Sequence, residues 1–246
     1  MSDWALALGR SDLQRAIAIQ DATAVRRTFP LFSASAWCQR LFSMNNKDAP
    51  PGSLDLPDGR LSLFPNFLPA AHALEFVQYL RHQVTWNHEI YYGKPTRRGT
   101  AWFADGGVEY RYSGQSMVAD GWTPQLEAVR NAVQEHCGCE FNSVLLNHYP
   151  DGRAQMGWHS DDEPELGQNP SIASLSFGAA RTFKLRHKQT RETRECLLED
   201  NSLLLMTGEL QHHWQHTLPR RSENVGERFN LTFRYTIPGF WRQQEA

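Results

Sequence analysis

The stretch MGWHSDDEPEL, residues 156–166, gathers one histidine and four carboxylates beside a tryptophan. In a strand, alternate residues point to the same side, so His159 and Asp161 can offer an imidazole nitrogen and a carboxylate oxygen to one point. A second imidazole from another strand would complete a 2-His-1-carboxylate set, which leaves positions on Fe(II) open for other ligands. The segment LQHHWQHTLP, residues 210–219, offers His212, His213 and His216. Alternation puts 212 and 216 on one face and 213 on the other, and spacing does not choose among them. An acidic surface loop is the competing account of the first stretch.

The run RFNLTFR, residues 228–234, sets Arg228, Asn230, Thr232 and Arg234 on one face and Phe229, Leu231 and Phe233 on the other. A half-exposed strand with its arginines in water is the ordinary explanation. An iron oxygenase, however, needs a fixed cation for a dicarboxylate co-substrate, and the planar fork of arginine binds a carboxylate bidentately. A third feature is RTFKLRHKQTRETR, residues 181–194, where six Lys/Arg face only Glu192. Lys184 and Arg186 share a face opposite Phe183 and Leu185 and could line a phosphate track; a solvated basic hairpin is the alternative.

These residues need elements to carry them. The pattern LPAAHALEFVQYLRHQV (68–84) predicts a helix, and TPQLEAVRNAVQEHC (123–137) predicts another, with Thr123 as N-cap and Pro124 at the first helical position. From residue 141 onward short β-rich runs follow one another, separated by turn residues. The expected class is α+β: a two-sheet jelly roll with supporting helices on one sheet. With 246 residues, 40% of them hydrophobic, the chain can bury one full core. The Pro/Gly/Asp-rich stretch DAPPGSLDLPDG (48–59) reads as a linker, which divides the chain into an N-terminal extension, 1–55, and a domain, 56–246.

No apolar run approaches the roughly 20 residues of a membrane helix, and the N-terminus lacks a basic segment followed by an apolar one. The expectation is a soluble, intracellular monomer with no membrane partner, cytoplasmic in a bacterium and nuclear in a eukaryote. Cysteines 37, 137, 139 and 196 match neither a zinc nor a disulfide spacing, as suits reduced thiols. A net charge of -2 argues against nucleic-acid binding through bulk charge and leaves a local basic face open.

Taken together, LLNHYPDGRAQMGWHSDDEPEL, PSIASLSFGAARTFKLRHK, HWQHTLP and RFNLTFR resemble the AlkB-type Fe(II)/2-oxoglutarate-dependent dioxygenases, most of all those that repair alkylated bases in duplex DNA. The likeness runs from about residue 60 to 236. It implies a double-stranded β-helix (jelly roll) with Fe(II), 2-oxoglutarate and O2, and it places the iron ligands at His159, Asp161 and His216. Asn147, Tyr149, Arg228 and Arg234 would hold 2-oxoglutarate, with Asn230 and Thr232 as further contacts. Arg228 is expected at the distal carboxylate and Arg234 nearer the keto-acid end.

The implied reaction hydroxylates an N-methyl group of 1-methyladenine or 3-methylcytosine, which then leaves as formaldehyde while 2-oxoglutarate becomes succinate and CO2. For substrate, the resemblance points to YYGKPTRRG (91–99), with Tyr92 before Gly93 as a wedge into duplex DNA and Lys94, Arg97 and Arg98 on phosphates. Tyr92 departs from the family, which usually has phenylalanine there. In VEYRYSG (108–114), Tyr110, Tyr112 and Ser113 would surround the flipped base, stacked between Tyr112 and His159, with Asp162 and Glu163 reading its positive charge. Glu165 is expected in solvent and Trp158 in the core. Alternative readings are action on single-stranded DNA, an RNA demethylase, a protein-modifying dioxygenase, and a jelly-roll binding module without metal.

Overall fold

The computed structural model describes residues 52–91, 93–112, 115–118, 121–221 and 224–241. The first strands are β1 (Ser53–Leu56), β2 (Gly59–Phe64), β3 (Asn87–Tyr91), β4 (Lys94–Ala104), β5 (Glu109–Tyr112), β6 (Gln115–Val118), β7 (Ser143–Tyr149) and β8 (Met156–His159). They are followed by β9 (Ile172–Gly178), β10 (Arg181–His187), β11 (Thr193–Leu198), β12 (Ser202–Thr207), β13 (Trp214–Leu218) and β14 (Arg228–Arg234). Helices α1 (Ala70–His82) and α2 (Pro124–Cys137) fall where the 3.6-residue periodicity puts them, and a short α3 (Leu210–His213) leads into β13.

An eight-stranded sheet in the order β1-β2-β12-β9-β14-β7-β4-β3 faces a four-stranded sheet, β11-β10-β13-β8. This is the expected jelly roll. The Thr123 hydroxyl accepts from the Leu126 amide and Gly138, at φ 64°, closes α2. The helices bury Phe76 and Leu80 from α1 and Leu126, Val129 and Val133 from α2 against Leu146, Leu175, Phe229, Leu231 and Phe233 of the large sheet. Each such side chain contributes about 1.5–3 kcal/mol by leaving water. The opposite face of the large sheet meets the small one through Leu61, Leu145, Ile172 and Leu204 against Phe183, Leu185 and Trp214.

Strand β14 lies between β9 and β7, covered on both faces, and all seven residues are buried, so the ordinary explanation of a half-exposed strand fails. One expectation needs correction. The linker reading of residues 48–59 fails from Ser53 onward, because β1 and β2 form a hairpin that pairs through β2 with β12. Its Leu54, Leu56, Leu61 and Leu63 enter the core between the sheets. The division drawn between 55 and 56 therefore falls inside β1. A Cβ on Gly59 would lie 2.6 Å from the Leu210 Cβ, so the turn Pro57-Asp58-Gly59 needs glycine to pack on α3.

Candidate iron and co-substrate site

On the small sheet, His159 of β8 sits opposite His216 of β13, with ring centroids 4.2 Å apart. Asp161 lies two residues past His159, just beyond the strand, where its amide donates to the buried Gln211 Oε1 at 3.0 Å. The ligand atoms of the three all lie within 4.8 Å of one another. The protonation states suit a divalent cation. His159 Nδ1 meets the Gly157 carbonyl at 2.9 Å, which fixes the ring proton there and leaves the Nε2 lone pair free. Burial, aided by the neighbouring His159, lowers the His216 pKa to about 3, so this ring is neutral. Burial pushes the Asp161 carboxyl up, but the Arg234 guanidinium, by charge and hydrogen bond, holds it below the usual carboxylate range. One carboxylate, the neutral His216 ring and the Nε2 of His159 converge on one point and fit Fe(II).

His212 and His213 point elsewhere. His212 Nε2 accepts from the Asn169 amide, and His213 stacks on His187 at 5.9 Å. Asp58, His187 and His213 also bring their ligand atoms within 4.8 Å. There, however, His187 Nδ1 accepts from the amides of Gln189 and Thr190, which puts the ring proton on Nε2, facing Asp58 at 3.4 Å. That trio is arranged for a hydrogen bond rather than for a metal.

The six residues expected at the co-substrate, Asn147, Tyr149, Arg228, Asn230, Thr232 and Arg234, line one cavity with the triad. Arg234 Nη2 donates to Asp161 Oδ1 at 2.6 Å. Arg228 takes the other end: its Nη2 donates to Ser176 Oγ at 2.9 Å and its guanidinium lies 5.2 Å from the Tyr149 ring centroid. Burial lowers its pKa to about 10, still cationic at neutral pH. Asn230 donates to Ser174 and Leu175 and accepts from Thr232, so this pair is spent on shaping the wall.

Arg98 was expected on phosphates. It is instead buried in the same cavity, donating from Nη1 to Asn147 Oδ1 and from Nη2 to Glu89 at 3.0 Å. With Oδ1 occupied, Asn147 keeps its Nδ2 donors for a ligand. Alternation along β4 carried the signal, since Trp102 and Ala104, on the Arg98 face, enter the inner core.

The residues expected at the nucleic acid are less closely drawn together. Tyr91 pairs with Lys94 across the β3–β4 hairpin, and Gly93 adopts φ +72°. Tyr92, Ser113 and the side chains of Tyr110 and Tyr112 lie outside the described residues. Lys94 and Arg97 are exposed, and Arg97 approaches Asp151 at 3.8 Å. Asp162 pairs with Lys188 at 2.9 Å, and Glu163, half-buried, precedes a 3₁₀ turn at Pro164–Leu166; neither lines the cavity.

Glu165 is fully buried rather than solvated. Trp158 is 38% exposed rather than in the core, and lies under the Arg186 guanidinium at 4.3 Å. The basic stretch is partly neutralised, since Lys184 meets Glu195 at 3.1 Å and Arg194 meets Glu192.

A two-sheet jelly roll that holds a His-x-Asp…His cluster next to buried arginines is the frame of an iron-dependent oxygenase that consumes an oxo acid. The profile of the 2OG-Fe(II) oxygenase superfamily matches residues 60–234, and the chain belongs to that family, on its AlkB-type branch. It is thus a dioxygenase whose cofactor and co-substrates are Fe(II), 2-oxoglutarate and O2.

The human alpha-ketoglutarate-dependent dioxygenase alkB homolog 3 is 37% identical over 195 residues, 73% of this chain and 67% of the relative. The mouse DNA oxidative demethylase ALKBH2 is 42% identical over 149 residues, 57% of this chain and 62% of the relative. The chain thus spans about two thirds of the length of these relatives. Among solved structures, OsALKBH1 matches with a TM-score of 0.56 at 16% identity, covering 74% of this chain and 99% of that one. A prolyl hydroxylase from Trichoplax adhaerens matches at 0.51 and 13%, covering 76% and 87%; both likenesses speak to the fold. Among the described residues no helix is long and apolar enough to cross a membrane.

Proposed function

We propose that this chain removes N-methyl groups from 1-methyladenine and 3-methylcytosine in DNA, acting as a monomer inside the cell through the domain that begins with β1. The observation that carries this reading is the single cavity shared by His159, Asp161 and His216 with Arg228 and Arg234, in a chain similar to proteins named as alkB homolog 3 and DNA oxidative demethylase. Fe(II) with 2-oxoglutarate and O2 supplies the oxidant that hydroxylates a methyl C–H bond.

The rest is positioning. Arg228 takes the distal carboxylate of 2-oxoglutarate as a charge-assisted pair, and Asn147, oriented by Arg98, donates from Nδ2. Arg234 orients Asp161 at the keto-acid end. Met156, Phe183, Met206 and Leu218 exclude water from the same space.

The methylated base is cationic, which suits aromatic faces and carboxylates: Tyr110, Tyr112 and Ser113 around it, Asp162 and Glu163 reading its charge. Once the methyl carries a hydroxyl, the N–CH2OH group collapses to formaldehyde and the restored base. Tyr92 and Gly93 form the wedge that offsets the cost of extruding a base from a duplex, while Lys94 and Arg97 hold the backbone. The test is a mass-spectrometric screen of methylated DNA and RNA oligonucleotides for loss of the methyl group, with Asp161→Ala as control. Loss from DNA that disappears in the variant supports the proposal; loss from RNA alone, or from no oligonucleotide, overturns it.

A further inference from the structure

Behind the distal end of the co-substrate cavity lies a second buried guanidinium. Arg181, the first residue of β10, is 1% exposed and donates from Nη2 to the carbonyls of Ala154 at 3.0 Å and Pro219 at 2.6 Å. Its Nε and Nη1 are buried with no hydrogen-bond partner among the described residues, and so is the Nε of Arg228. The two arginines share the ring of Tyr149, at 5.9 Å for Arg181 and 5.2 Å for Arg228.

Among the described residues, Asp161 is the one acid that lines the cavity, and Arg234 already holds it. Besides the Tyr149 phenol, the groups acting on Arg181 are Arg221, a further cation, and Asp151, whose carboxylate is bound by Arg153. Two like charges that face one ring in a low-dielectric interior repel, as Arg181 does in lowering the Arg228 pKa, and each loses hydration on burial. An anion placed at the Arg228 end relieves both costs together, whereas an uncharged group there relieves neither.

We infer that Arg181 is a positioning residue that makes the cavity select oxo acids carrying a distal carboxylate, acting through Tyr149 and through its charge beside Arg228. The inference rests on the placement of 2-oxoglutarate proposed above. A purely structural arginine, stapling the β7–β8 loop to the end of β13, would serve every oxo acid alike, and this difference makes the idea testable.

The experiment is calorimetric binding, without oxygen, to the Mn(II)-loaded full chain of 2-oxoglutarate and of 2-oxopentanoate, which has the same chain length and no distal carboxylate. Wild type, Arg181→Met, Arg181→Lys and Arg228→Met are compared. Arg181→Met is expected to weaken 2-oxoglutarate on the order of tenfold, as a charge acting across several ångströms would, and to leave 2-oxopentanoate within about threefold. Arg181→Lys, which keeps the charge, should recover most of the loss. In turnover the Met variant should raise KM for 2-oxoglutarate with kcat kept. If Arg181→Met does not fold, Arg181→Gln, whose amide can still donate to one carbonyl, takes its place.

Equal weakening of both oxo acids, or of neither, overturns the inference provided Arg228→Met abolishes the preference for the dicarboxylate. If Arg228→Met also leaves that preference intact, the proposed placement of 2-oxoglutarate falls, and the inference with it.

Discussion

Replacing Arg234 with methionine removes one half of a buried ion pair. The Arg234 and Asp161 side chains are 7% and 4% exposed and meet at 2.6 Å. Their charge centres are then about 4 Å apart, where an effective dielectric near 20 gives an attraction of about 4 kcal/mol. Arg234→Met leaves Asp161 in a dry pocket without its guanidinium partner, and breaking a buried pair in this way typically costs about 3–5 kcal/mol. For a domain of this size that loss lowers Tm by about 6–20 °C.

The assay is urea unfolding of the metal-free protein, with circular dichroism as readout. The double variant Asp161→Asn/Arg234→Met has no buried charge left to strand, so most of the stability should return. Adding Mn(II) should rescue the single variant and not the double, because only the single keeps the carboxylate. The electrostatic account of this site is wrong if Arg234→Met loses less than about 1 kcal/mol, or if the double variant is no more stable than the single.

Three further outcomes follow from the geometry. Gln211→Leu strands the buried Asp161 amide, a penalty of about 1–3 kcal/mol that should loosen the ligand and weaken Mn(II) binding about tenfold by electron paramagnetic resonance titration; undiminished affinity would remove Gln211 from the support of the metal site. Tyr112→Ala should raise the apparent substrate KM for every lesion alike, since stacking on one ring contributes about 1–3 kcal/mol per base, and an unchanged KM counts against the proposed sandwich. Tyr92→Ala, assayed on one methylated oligonucleotide single-stranded and annealed, should abolish duplex repair and spare single-strand repair; equal loss on both, or on neither, discards the wedge and the preference for duplex DNA.

Local patterns with a single period were legible in the sequence. Thr123 and Pro124 announce α2, and the two faces of RFNLTFR are those of β14. What stayed hidden was whether the polar face of β14 meets water. A strand next to solvent and one facing a polar cavity share the same alternation, and only the sheet order, with β9 and its Ser174 and Ser176 alongside, separates them. His216 was ambiguous for a related reason. Residues 210–213 are helical, so strand alternation does not extend back to His212 and His213, whereas the cross-strand pairing of His216 with His159 decides the matter and is long-range.

The segment SLDLPDGRLSLF shows two cues in conflict. Its prolines and glycines resemble a linker, yet leucines alternate on both sides of Pro-Asp-Gly, which is the pattern of a hairpin with one buried face. Four leucines in the core outweigh composition. Charge conceals its information in the same way, because a net -2 averages over a surface that water screens. Inside, Arg98, Arg181, Arg228 and Arg234 are at most 5% exposed, while among the described acids only Asp161 and Glu165 are comparably buried, at 3% and 0%. That imbalance costs stability, and the proposed placement of 2-oxoglutarate between Arg228 and the triad would bring negative charge to it.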